Sequence, residues 1–533
     1  MGTIQILDCT LRDGGYCNDC RFGLGNQRRI TAGLARAGVE IVECGFLMDR
    51  VLYHPDVTRF TSPEQIGAIL PGAGGEAGPQ YVALADFGRY DFGRLPPRSE
   101  TPIQGIRVAF HKKDWPRALE ACRIVRDKGY RVFVQPMVTA GYTDREFLDL
   151  LAGVNLLEPY AFYLVDSFGT LQRPGLLRLF ALADHNLAPG IRIGFHPHNN
   201  LQLAFSNAQT MASFQTKRDV ILDASVYGMG RGAGNLPTEL ITRYINRNIA
   251  SRYDAALVMD VYDEYIASLR REYEWGYSVA YHIAAVHACH PNYAAYLLNK
   301  QTLTTQDIEK ILRMIPRERR VEFDRELAGQ LYARFQSRSI DDSRAVRELQ
   351  ALLQGRTPLV LAPGASLRTR EGEVLEFIRR EHPFVAAVNF TDPRFSVEAC
   401  FVSNHKKLDI LGRDMENLEG TRLFLTSNLG AFAGDCLWVD YDRCLSGDSM
   451  VADNAGLMFL KLLERCGVRE AVLAGFDGFR QAGAHYYRPE AALPVNAAEA
   501  CEKQRRMEEQ LGKLSLDLTF LTPSAYGVKQ RVH

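Results

Sequence analysis

Apolar, strand-like runs alternate with amphipathic helical segments over the first 250 residues, and this alternation constrains the fold more than any other feature of the sequence. The runs are 5–8, 39–46, 81–87, 105–111, 131–138, 161–167, 191–198 and 220–226. Convincing helical segments between them are 27–37, 115–128, 145–157, 174–186 and 201–212. Strands that alternate with helices pair in parallel. Eight such units in about 250 residues predict a (β/α)8 barrel, with an open doubly wound sheet as the alternative.

The remainder of the chain divides into a helical part and a second α/β part. Strand signals stop between residues 251 and 354, where 260–273 and 305–314 have helical patterns. Short apolar runs return near Pro358 and alternate with helical stretches toward the C-terminus. A chain of 533 residues is too long for one core. We therefore predict a TIM-barrel domain over 1–250, a helical extension over 251–354 and a Rossmann-like α/β domain over 355–533.

The charge balance and the cysteine pattern limit the classes of partner. The chain has 63 basic and 63 acidic residues, so its formal net charge is zero, which argues against a nucleic-acid-binding protein. We see no apolar stretch of roughly 18 residues that would span a membrane and no leader-like N-terminal segment. Eleven cysteines lie scattered without a disulfide framework, as in reduced proteins. We expect a cytoplasmic protein with neither nucleic-acid nor membrane partners.

Two histidines at the end of the seventh predicted strand indicate a metal site. Residues i and i+2 of a strand point to the same face, so His196 and His198 project side by side. Pro197 lacks an N–H group, so the regular strand pairing ends there. The carboxyl ends of barrel strands carry the active site, and two imidazoles there can chelate a divalent ion. The alternative is a pair of histidines in a polar loop.

Acidic and basic residues follow other strands at the same end of the predicted barrel. Asp13 and Arg12 come after the first strand, and Glu43 lies near the end of the second. A carboxylate suits a hard cation, and a guanidinium suits a carboxylate or an enolate. The glycine-rich loop 228–235 follows the eighth strand and allows close approach to a ligand. It matches neither phosphate-loop motif, GxxxxGK[ST] or GxGxxG.

Four of these motifs, in this order and spacing, resemble the signature set of the DRE-TIM metallolyases. They are Thr10-Leu11-Arg12-Asp13-Gly14, Glu43, His196-Pro197-His198-Asn199 and Gly232-Ala233-Gly234-Asn235. The resemblance covers about residues 4–245. Within the superfamily, which includes hydroxymethylglutaryl-CoA lyases, the 4-hydroxy-2-oxovalerate aldolases look most similar. Their strand-four and strand-six motifs compare with 107–111 and 165–167 here.

The resemblance implies a role for each site residue. It implies a Mn2+ or Mg2+ site formed by Asp13, His196 and His198, with Asn235 as a further ligand or a neighbour of the ligands. Arg12 would stabilise the enolate oxygen, and Glu43 would orient Arg12 or a metal-bound water. Ser167 would bind the substrate carboxylate, with a strand-end cap as its alternative. His111 is a further substrate-binding candidate, with a place in the core or behind the ligands as its alternative.

One position departs from the pattern of the aldolases. Those enzymes carry a basic histidine three residues after the metal-binding aspartate, where this chain has Tyr16. A tyrosine acts as a base only if its pKa of about 10 is lowered, for instance by the metal or by Arg12. Residues of the helical extension are other candidates, namely Tyr277, Tyr281 and His282.

The function that the resemblance implies is a carbon–carbon lyase. The leading hypothesis is a metal-dependent aldolase that forms or cleaves the bond next to a 2-oxo acid through a pyruvate enolate. Its partners would be a small 2-oxo acid and an aldehyde, and a homodimer is the default for such barrels. A Claisen-type synthase that uses an acyl-CoA is the second hypothesis. The third is a barrel that has lost its chemistry and serves as a scaffold.

The C-terminal part loosely resembles the Rossmann-like domains of sialyltransferase-type and pterin-pyrophosphokinase-like proteins. Its first strand-to-helix turn, 361–367, contains Gly364 and Ser366, and a helix N-terminus there could hold a phosphate. The turn lacks GxGxxG, which argues against an ordinary NAD dehydrogenase. Nucleotide or sugar-nucleotide binding by a transferase-like domain is one hypothesis, and a structural role is the other.

Overall fold

The computed structural model describes residues 2–71, 78–411, 420–479 and 497–526. The chain forms two compact units. The first comprises Met1–Ala295 and Pro316–Phe323, and the second comprises Tyr296–Ile315 and Asp324–His533. The helical stretch 251–354 is therefore shared between the two units. The division of the chain at residues 250 and 354 remains a prediction.

The strands of the first unit form a closed parallel barrel, as predicted. They are β1 (Ile4–Asp8), β2 (Ile41–Leu47), β3 (Arg59–Phe60), β4 (Gln80–Asp86), β5 (Gly105–Phe110), β6 (Arg131–Pro136), β7 (Ala161–Asp166), β8 (Arg192–Pro197) and β9 (Val220–Ala224). Their order is β1-β9-β8-β7-β6-β5-β4-β2-β3, and β1 also pairs with β2, which closes the barrel. The two-residue β3 pairs in parallel with the last two residues of β2.

Helices surround this barrel and continue beyond it. They are α1 (Leu24–Arg36), α2 (Trp115–Asp127), α3 (Asp144–Leu157), α4 (Arg173–Asn186), α5 (Ala204–Ala212), α6 (Thr238–Asn248), α7 (Ala255–Val261), α8 (Ala267–Glu272), α9 (Val279–Val286) and α10 (Pro291–Asn299). In the described part of the chain, 3-10 turns at Pro63–Ile69 and Phe92–Arg94 stand in the two places, after β2 and after β4, where no helical segment was predicted. Prolines 96, 97 and 102 explain the second case, because proline cannot donate the helical hydrogen bond.

The interior of the barrel is apolar at one end and charged in the middle. Alternate residues of each strand point inward, and Leu7, Phe133 and Ile221 belong to a fully buried apolar cluster. Two positions further along β9, Asp223 is also buried, and Arg107 of β5 pairs with it. The charged layer thus lies nearer the carboxyl ends of the strands than the apolar layer. Its position indicates that the functional site lies at the carboxyl ends of the barrel strands.

Gly194 of β8 makes room for the largest side chain of this layer. A Cβ atom at Gly194 would lie 2.3 Å from the ring of Tyr163, much less than any real contact distance. The Tyr163 ring is fully buried and lies under the guanidinium of Arg107, with 4.8 Å between Cζ and the ring centroid. The absence of a side chain at Gly194 therefore fixes where Tyr163 and Arg107 lie.

The second unit contains a seven-stranded parallel sheet. Its strands are β10 (Pro358–Leu361), β11 (Phe384–Val388), β12 (Ala399–Val402), β13 (Arg422–Thr426), β14 (Leu437–Val439), β15 (Glu470–Ala474) and β16 (Asp517–Phe520). The order β14-β13-β12-β11-β10-β15-β16 reverses direction between β10 and β15. This is a doubly wound, Rossmann-like sheet, as predicted. The sequence analysis did not foresee β16.

Helices accompany this sheet along the chain. They are α11 (Thr305–Met314), α12 (Arg325–Gln336), α13 (Ser343–Leu353), α14 (Ala365–Thr369), α15 (Glu371–Glu381), α16 (His405–Leu411), α17 (Tyr441–Cys444), α18 (Ala455–Arg465) and α19 (Ala497–Leu511). The long apolar side of α18 packs into the larger of the buried clusters beside the sheet. None of the helices in the described ranges is long and apolar enough to cross a membrane.

Candidate metal centre

Three side chains converge at the carboxyl end of the barrel and form a possible metal site. They are Asp13, which follows β1, His196 of β8, and His198 directly after β8. One potential ligand atom from each lies within 4.8 Å of the others. The two imidazole rings are perpendicular, with centroids 5.2 Å apart. The strand spacing predicted that the two histidines lie together, and the structure also brings Asp13 to them.

The buried Asp223 orients His196. Its Oδ2 lies 2.9 Å from His196 Nδ1, which leaves Nε2 as the nitrogen available to a metal. A carboxylate that holds the far nitrogen of a metal-binding histidine fixes the ring and raises its basicity. Burial raises the pKa of the Asp223 carboxyl, but Arg107 and His196 together lower that pKa by more, so the net shift is downward. Asp223 was missed by the sequence analysis.

Burial keeps His198 in the form that can bind a cation. It lowers the pKa of the His198 imidazole to about 3, against a partial opposing effect of Asp13. The ring is therefore neutral near pH 7 and retains a lone pair. The Asp13 carboxyl is also buried, which raises its pKa, but Arg12 and the two histidines lower it well below its usual range. Asp13 is thus ionised.

Asn235 supplies the observation that best fits a cation-binding role for this cluster. Its Nδ2 donates to Asp13 Oδ2 at 2.7 Å and to the carbonyl of Met229 at 3.0 Å. Its Oδ1 is buried and has no hydrogen-bond partner among the described residues. Buried amide oxygens normally have a partner, and an unpaired one costs about 1–3 kcal/mol. An amide oxygen, a carboxylate and two imidazoles form a donor set that suits a divalent ion.

Arg12 is fixed beside this cluster by two carboxylates. Its Nη1 donates to Asp13 Oδ1 at 2.5 Å and its Nε donates to Glu43 Oε2 at 2.8 Å. Burial lowers the pKa of the guanidinium, but Glu43 and Asp13 raise it well above its usual value. Arg12 therefore stays charged although only 5% of its surface is exposed. Glu43 is thus in direct contact with Arg12, and its role in orienting Arg12 remains a prediction.

Arg107 continues the pairing across the barrel. Its Nη1 lies 2.8 Å from Glu43 Oε2, and its Nη2 pairs with Asp223. Acidic and basic side chains therefore alternate along a series of contacts: Asp13, Arg12, Glu43, Arg107 and Asp223. Asp223 contacts His196, which lies next to Asp13 in the metal cluster, so the series closes. We call this closed series of six residues the charge ring.

Glycine is required in the loop that carries Asn235. A Cβ atom at Gly230 would lie 2.3 Å from Asn235 Nδ2 and 2.9 Å from Asp13 Oδ2. The loop backbone also pairs with the end of β8, since Asn235 and His198 form an isolated antiparallel bridge. The glycine-rich loop thus approaches the cluster with its backbone, as the sequence indicated.

Comparison with known proteins agrees with this geometry. Residues 111–263 match the family model HMGL-like. A 4-hydroxy-2-oxovalerate aldolase of Thermomicrobium roseum is 28% identical over 302 residues, which are 54% of this chain and 81% of that protein. A 4-hydroxy-2-oxovalerate aldolase of Geobacillus genomosp. 3 is 28% identical over 283 residues, covering 49% of this chain and 76% of that protein. The N-terminal barrel therefore contains an HMGL-like region and is similar to these aldolases, and we call it the DRE-TIM domain.

The HMG-CoA lyase of Brucella melitensis is one of the solved structures to which the chain was compared. It superimposes with a TM-score of 0.41 and 14% identity, covering 51% of this chain and all of that one.

Tyr16 lies at the open edge of the site in the DRE-TIM domain. Its ring is 43% exposed, packs edge-on against Phe46 with centroids 5.5 Å apart, and lies under the guanidinium of Arg231. Burial of the phenol raises its pKa above 10, and the attraction of Arg231 offsets this only in part. The protein's own groups therefore do not provide the lowered pKa that a basic Tyr16 would require.

Ser167 and His111 lie on the rim of the DRE-TIM domain. Ser167 Oγ accepts a hydrogen bond from the backbone of Val138, at 3.0 Å, where the chain has a left-handed conformation. This contact matches the capping alternative and leaves the hydroxyl proton available. His111 is partly exposed, and its Nε2 lies 3.9 Å from Glu322 of the extension. Their roles as substrate-binding residues remain predictions.

Of the alternative bases, only some approach the site. The Tyr281 ring lies 3.7 Å from the Cβ position of Gly232, in the loop after β9. Tyr277 is 56% exposed and packs against His282, with centroids 6.2 Å apart. No described contact links Tyr277 or His282 to the cluster.

Three residues at the same end of the barrel were not predicted. They are Gln135, Arg231 and His290. Gln135 of β6 points inward like Phe133, is 2% exposed, and its Nε2 has no partner in the described ranges. Arg231 lies in the loop after β9, and its Nη1 is 2.9 Å from Nε2 of His290 in the extension. An amide two positions after an inward residue of a buried strand was a usable signal for Gln135. No periodicity marks the other two.

The strand-to-helix turn of the C-terminal unit is already filled by a side chain. The backbone N–H of Ser366 donates to Asp477 Oδ2 at 2.9 Å, and its hydroxyl donates to the other oxygen of the same carboxylate. Ser366 Oγ also contacts Thr522 Oγ1 at 2.8 Å. The carboxylate occupies the donors that a phosphate would use, which disfavours the predicted phosphate role.

Proposed function

We propose that the DRE-TIM domain is a divalent-metal-dependent aldolase that forms or cleaves the C–C bond next to a 2-oxo acid, through a pyruvate enolate. The observation that carries this proposal is the unpaired, buried Oδ1 of Asn235 beside Asp13, His196 and His198. The names of the relatives support the same reaction class. The partners are a small 2-oxo acid and an aldehyde.

The residues that would hold the ion are Asp13, His196, His198 and Asn235. Two oxygen donors, two imidazoles and no thiolate suit Mn2+ or Mg2+ better than a softer ion. A divalent ion bound there supplies a Lewis acid that polarises the 2-oxo group. No lysine is needed to form a Schiff base under this proposal.

Arg12 stabilises the negative charge that develops on the enolate oxygen. Asp13 and Glu43 hold its guanidinium in place before substrate binds. A donor that is already oriented in a buried site costs little reorganisation when charge develops, and removing one such donor typically costs 10²- to 10³-fold in rate. Glu43 is itself held by Arg107, so the orientation of Arg12 depends on Glu43 directly and on Arg107 through Glu43.

Tyr16 serves as a proton donor in the addition direction. Its raised pKa keeps the phenol protonated near pH 7. When the enolate carbon attacks the aldehyde carbon, the aldehyde oxygen gains charge, and the phenol proton can neutralise it. The phenolate that results lies next to Arg231, which is 4.7 Å from the ring centre and stabilises the charge. Cleavage would need the phenolate at the start, which the raised pKa disfavours, so this role of Tyr16 favours the addition direction.

Ser167 would bind the carboxylate of the 2-oxo acid. Its Oγ accepts from Val138, so its own proton points elsewhere and can be donated to an anion. His111 lies further out, toward Glu322, and would contact the substrate at the rim. A homodimer remains the expected assembly.

Exchange of pyruvate methyl protons in deuterated water tests the proposal. The full chain is measured by NMR with Mn2+, with Mg2+ and after chelation. We expect exchange only with a divalent ion, because enolate formation needs the polarised 2-oxo group. A metal-loaded protein that shows no exchange would contradict the pyruvate enolate. Release of free thiol from an acyl-CoA in the same samples would instead identify a Claisen-type synthase.

A further inference from the structure

The loop after β9 holds Arg231 at a fixed place beside the metal cluster. Its neighbour Gly230 packs against Asn235 and Asp13, and its other neighbour Gly232 has a φ of +66°. The carbonyl of Arg231 accepts a hydrogen bond from the backbone of Gly234, at 3.1 Å. The backbone of the loop therefore fixes the Cα position of Arg231, one residue away from Gly230, which contacts the metal cluster.

The guanidinium of Arg231 has neighbours but no carboxylate. Its Cζ lies 4.7 Å from the centre of the Tyr16 ring, and Nη1 lies 2.9 Å from His290 Nε2. Among the described residues, no carboxylate oxygen lies within 4.0 Å of it. Asp86 and Arg231 interact electrostatically without a direct ion pair, and Asp86 is itself paired with Arg89 at 3.8 Å.

The other two guanidinium groups of the site are each paired with two carboxylates. Arg12 contacts Asp13 and Glu43, and Arg107 contacts Glu43 and Asp223. A partly buried cation is costly without a counter-charge. The positive charges of Arg12 and Arg107 are thus neutralised by carboxylates of the site. The positive charge of Arg231 remains available to an anionic ligand.

His290 does not supply that counter-charge. Burial lowers its pKa to about 3, with a further contribution from Arg231, so the ring is neutral. The ring packs against Phe168 and Phe323, with centroids 5.8 Å and 6.2 Å away, and Nδ1 accepts from the backbone of Asn292. These contacts fix His290, which in turn holds one end of the guanidinium and leaves the remaining N–H groups for a ligand.

Two aromatic rings separate Arg231 from Arg12. The Phe46 ring lies 5.8 Å from Cζ of Arg12 and 5.5 Å from the ring of Tyr16, and Tyr16 lies under Arg231. Under the proposed function Tyr16 donates its proton to the aldehyde oxygen, so a ligand that extends from Arg12 past Tyr16 reaches Arg231 with its aldehyde half. The group that meets Arg231 therefore belongs to the half of the molecule that leaves as the aldehyde.

We infer that Arg231 is a second anion-binding subsite, which selects substrates whose aldehyde half ends in a carboxylate or a phosphate. This inference rests on the proposed aldolase function. A charged hydrogen-bond partner for such an anion is worth about 10- to 100-fold in selectivity. The preferred product of addition is a 4-hydroxy-2-oxo acid with an anionic group at its far end.

Pairs of aldehydes that differ only in charge test the subsite. With pyruvate and Mn2+, 4-oxobutanoate is compared with 4-oxobutanamide, and glyceraldehyde 3-phosphate with glyceraldehyde. We expect kcat/KM to favour the anionic member of one pair by about 10- to 100-fold, and the pair that responds identifies carboxylate or phosphate. The variant Arg231→Met should abolish this ratio, and Arg231→Lys should retain part of it.

Arg123→Met is the matched control, because Arg123 is exposed on the outer helix α2. It should leave the ratio unchanged. Equal use of charged and neutral aldehydes by the wild type would overturn the inference. So would an Arg231→Met variant that loses both members of a pair by the same factor, since that pattern indicates that Arg231 supports Tyr16 or the fold and does not select the aldehyde by its charge.

Binding measurements separate this inference from the aldolase proposal. Calorimetry on the Mn2+-loaded chain compares 2-oxoglutarate with its 5-amide, which differ by the far charge. Tighter binding of 2-oxoglutarate, lost in Arg231→Met, would support the subsite even if pyruvate exchange fails and the aldolase proposal falls. Equal binding of both compounds by the wild type, together with normal pyruvate exchange, would remove the subsite and leave the aldolase proposal standing.

Discussion

Oδ2 of Asp223 lies 2.9 Å from Nδ1 of His196, and the same carboxylate pairs with Arg107. One buried carboxylate therefore orients a candidate metal ligand and neutralises a cation in the barrel interior. The position connects metal binding with the stability of the barrel, and this connection can be measured.

Asp223→Asn should weaken Mn2+ binding by about 10- to 100-fold, because His196 loses the partner that fixes its ring. The variant should also melt at a lower temperature, since Arg107 loses a counter-charge. Titration with Mn2+ and a thermal melt give the two quantities. Asp219→Asn is the control at the opposite end of β9, where the carboxylate binds Thr3. Unchanged metal affinity in Asp223→Asn would contradict the assignment of His196 as a ligand.

Asp13→Asn should reduce metal-dependent pyruvate exchange by on the order of 10³-fold without unfolding the chain. The substitution removes the charge that faces the cation and Arg12, while Asn235 can still bond to the amide. NMR exchange and circular dichroism provide the comparison. Asp19→Asn, an exposed position paired with Arg59, should behave as the wild type. Full metal-dependent turnover in Asp13→Asn would show that the site is elsewhere.

Gly194→Ala should destabilise the barrel by about 1–3 kcal/mol, because its methyl group would lie 2.3 Å from the Tyr163 ring. A lower melting temperature in a thermal scan is the expected result. Gly25→Ala in α1 is the matched control, since nothing lies within 4 Å of its Cβ position and alanine favours helix. If both variants melt alike, the ring does not occupy the place described.

Asp8→Asn should change how stability depends on pH. Burial raises the pKa of the Asp8 carboxyl to about 6, against an unfolded value of about 3.9. The folded state therefore binds the proton more tightly, and this group's contribution to stability is lost as pH rises from about 4 to 6. The melting temperature of Asp8→Asn minus that of the wild type should rise over this interval, by the equivalent of about 3 kcal/mol at most, and then stay level. A difference that is flat from pH 4 to 7 would refute the raised pKa.

The barrel was predictable because the alternation of strands and helices is a local pattern with a single closed solution at this length. Asp13, His196 and His198 were predictable because strand ends share one face of a barrel. Asp223 was not predicted, although a charged residue within the apolar strand Val220–Ala224 signals a buried partner. Arg107 and Glu43 show the same signal, and the three together would have indicated an interior ion-pair network.

Arg231 and His290 could not be predicted from local patterns. Arg231 lies in a loop without periodicity, and His290 reaches the site only because the chain beyond the barrel folds back toward the loop after β9. Their contact depends on tertiary folding over 59 residues of sequence separation. The strand β16 was missed because Asp517–Phe520 alternates polar and apolar residues and so lacks the continuous apolar run of β10.

The charge ring implies that cation affinity and substrate affinity cannot be adjusted independently. His196 and Asp13 are members of the ring and candidate ligands, and Arg12 is a member and the candidate enolate-binding group. A displacement of any member changes the electrostatic forces on its two neighbours. Because the series is closed, the change affects both the metal ligands and the enolate-binding Arg12. Across a set of ring variants, the dissociation constants for Mn2+ and for the 2-oxo acid should therefore rise and fall together, because the same ion pairs position the groups that bind both.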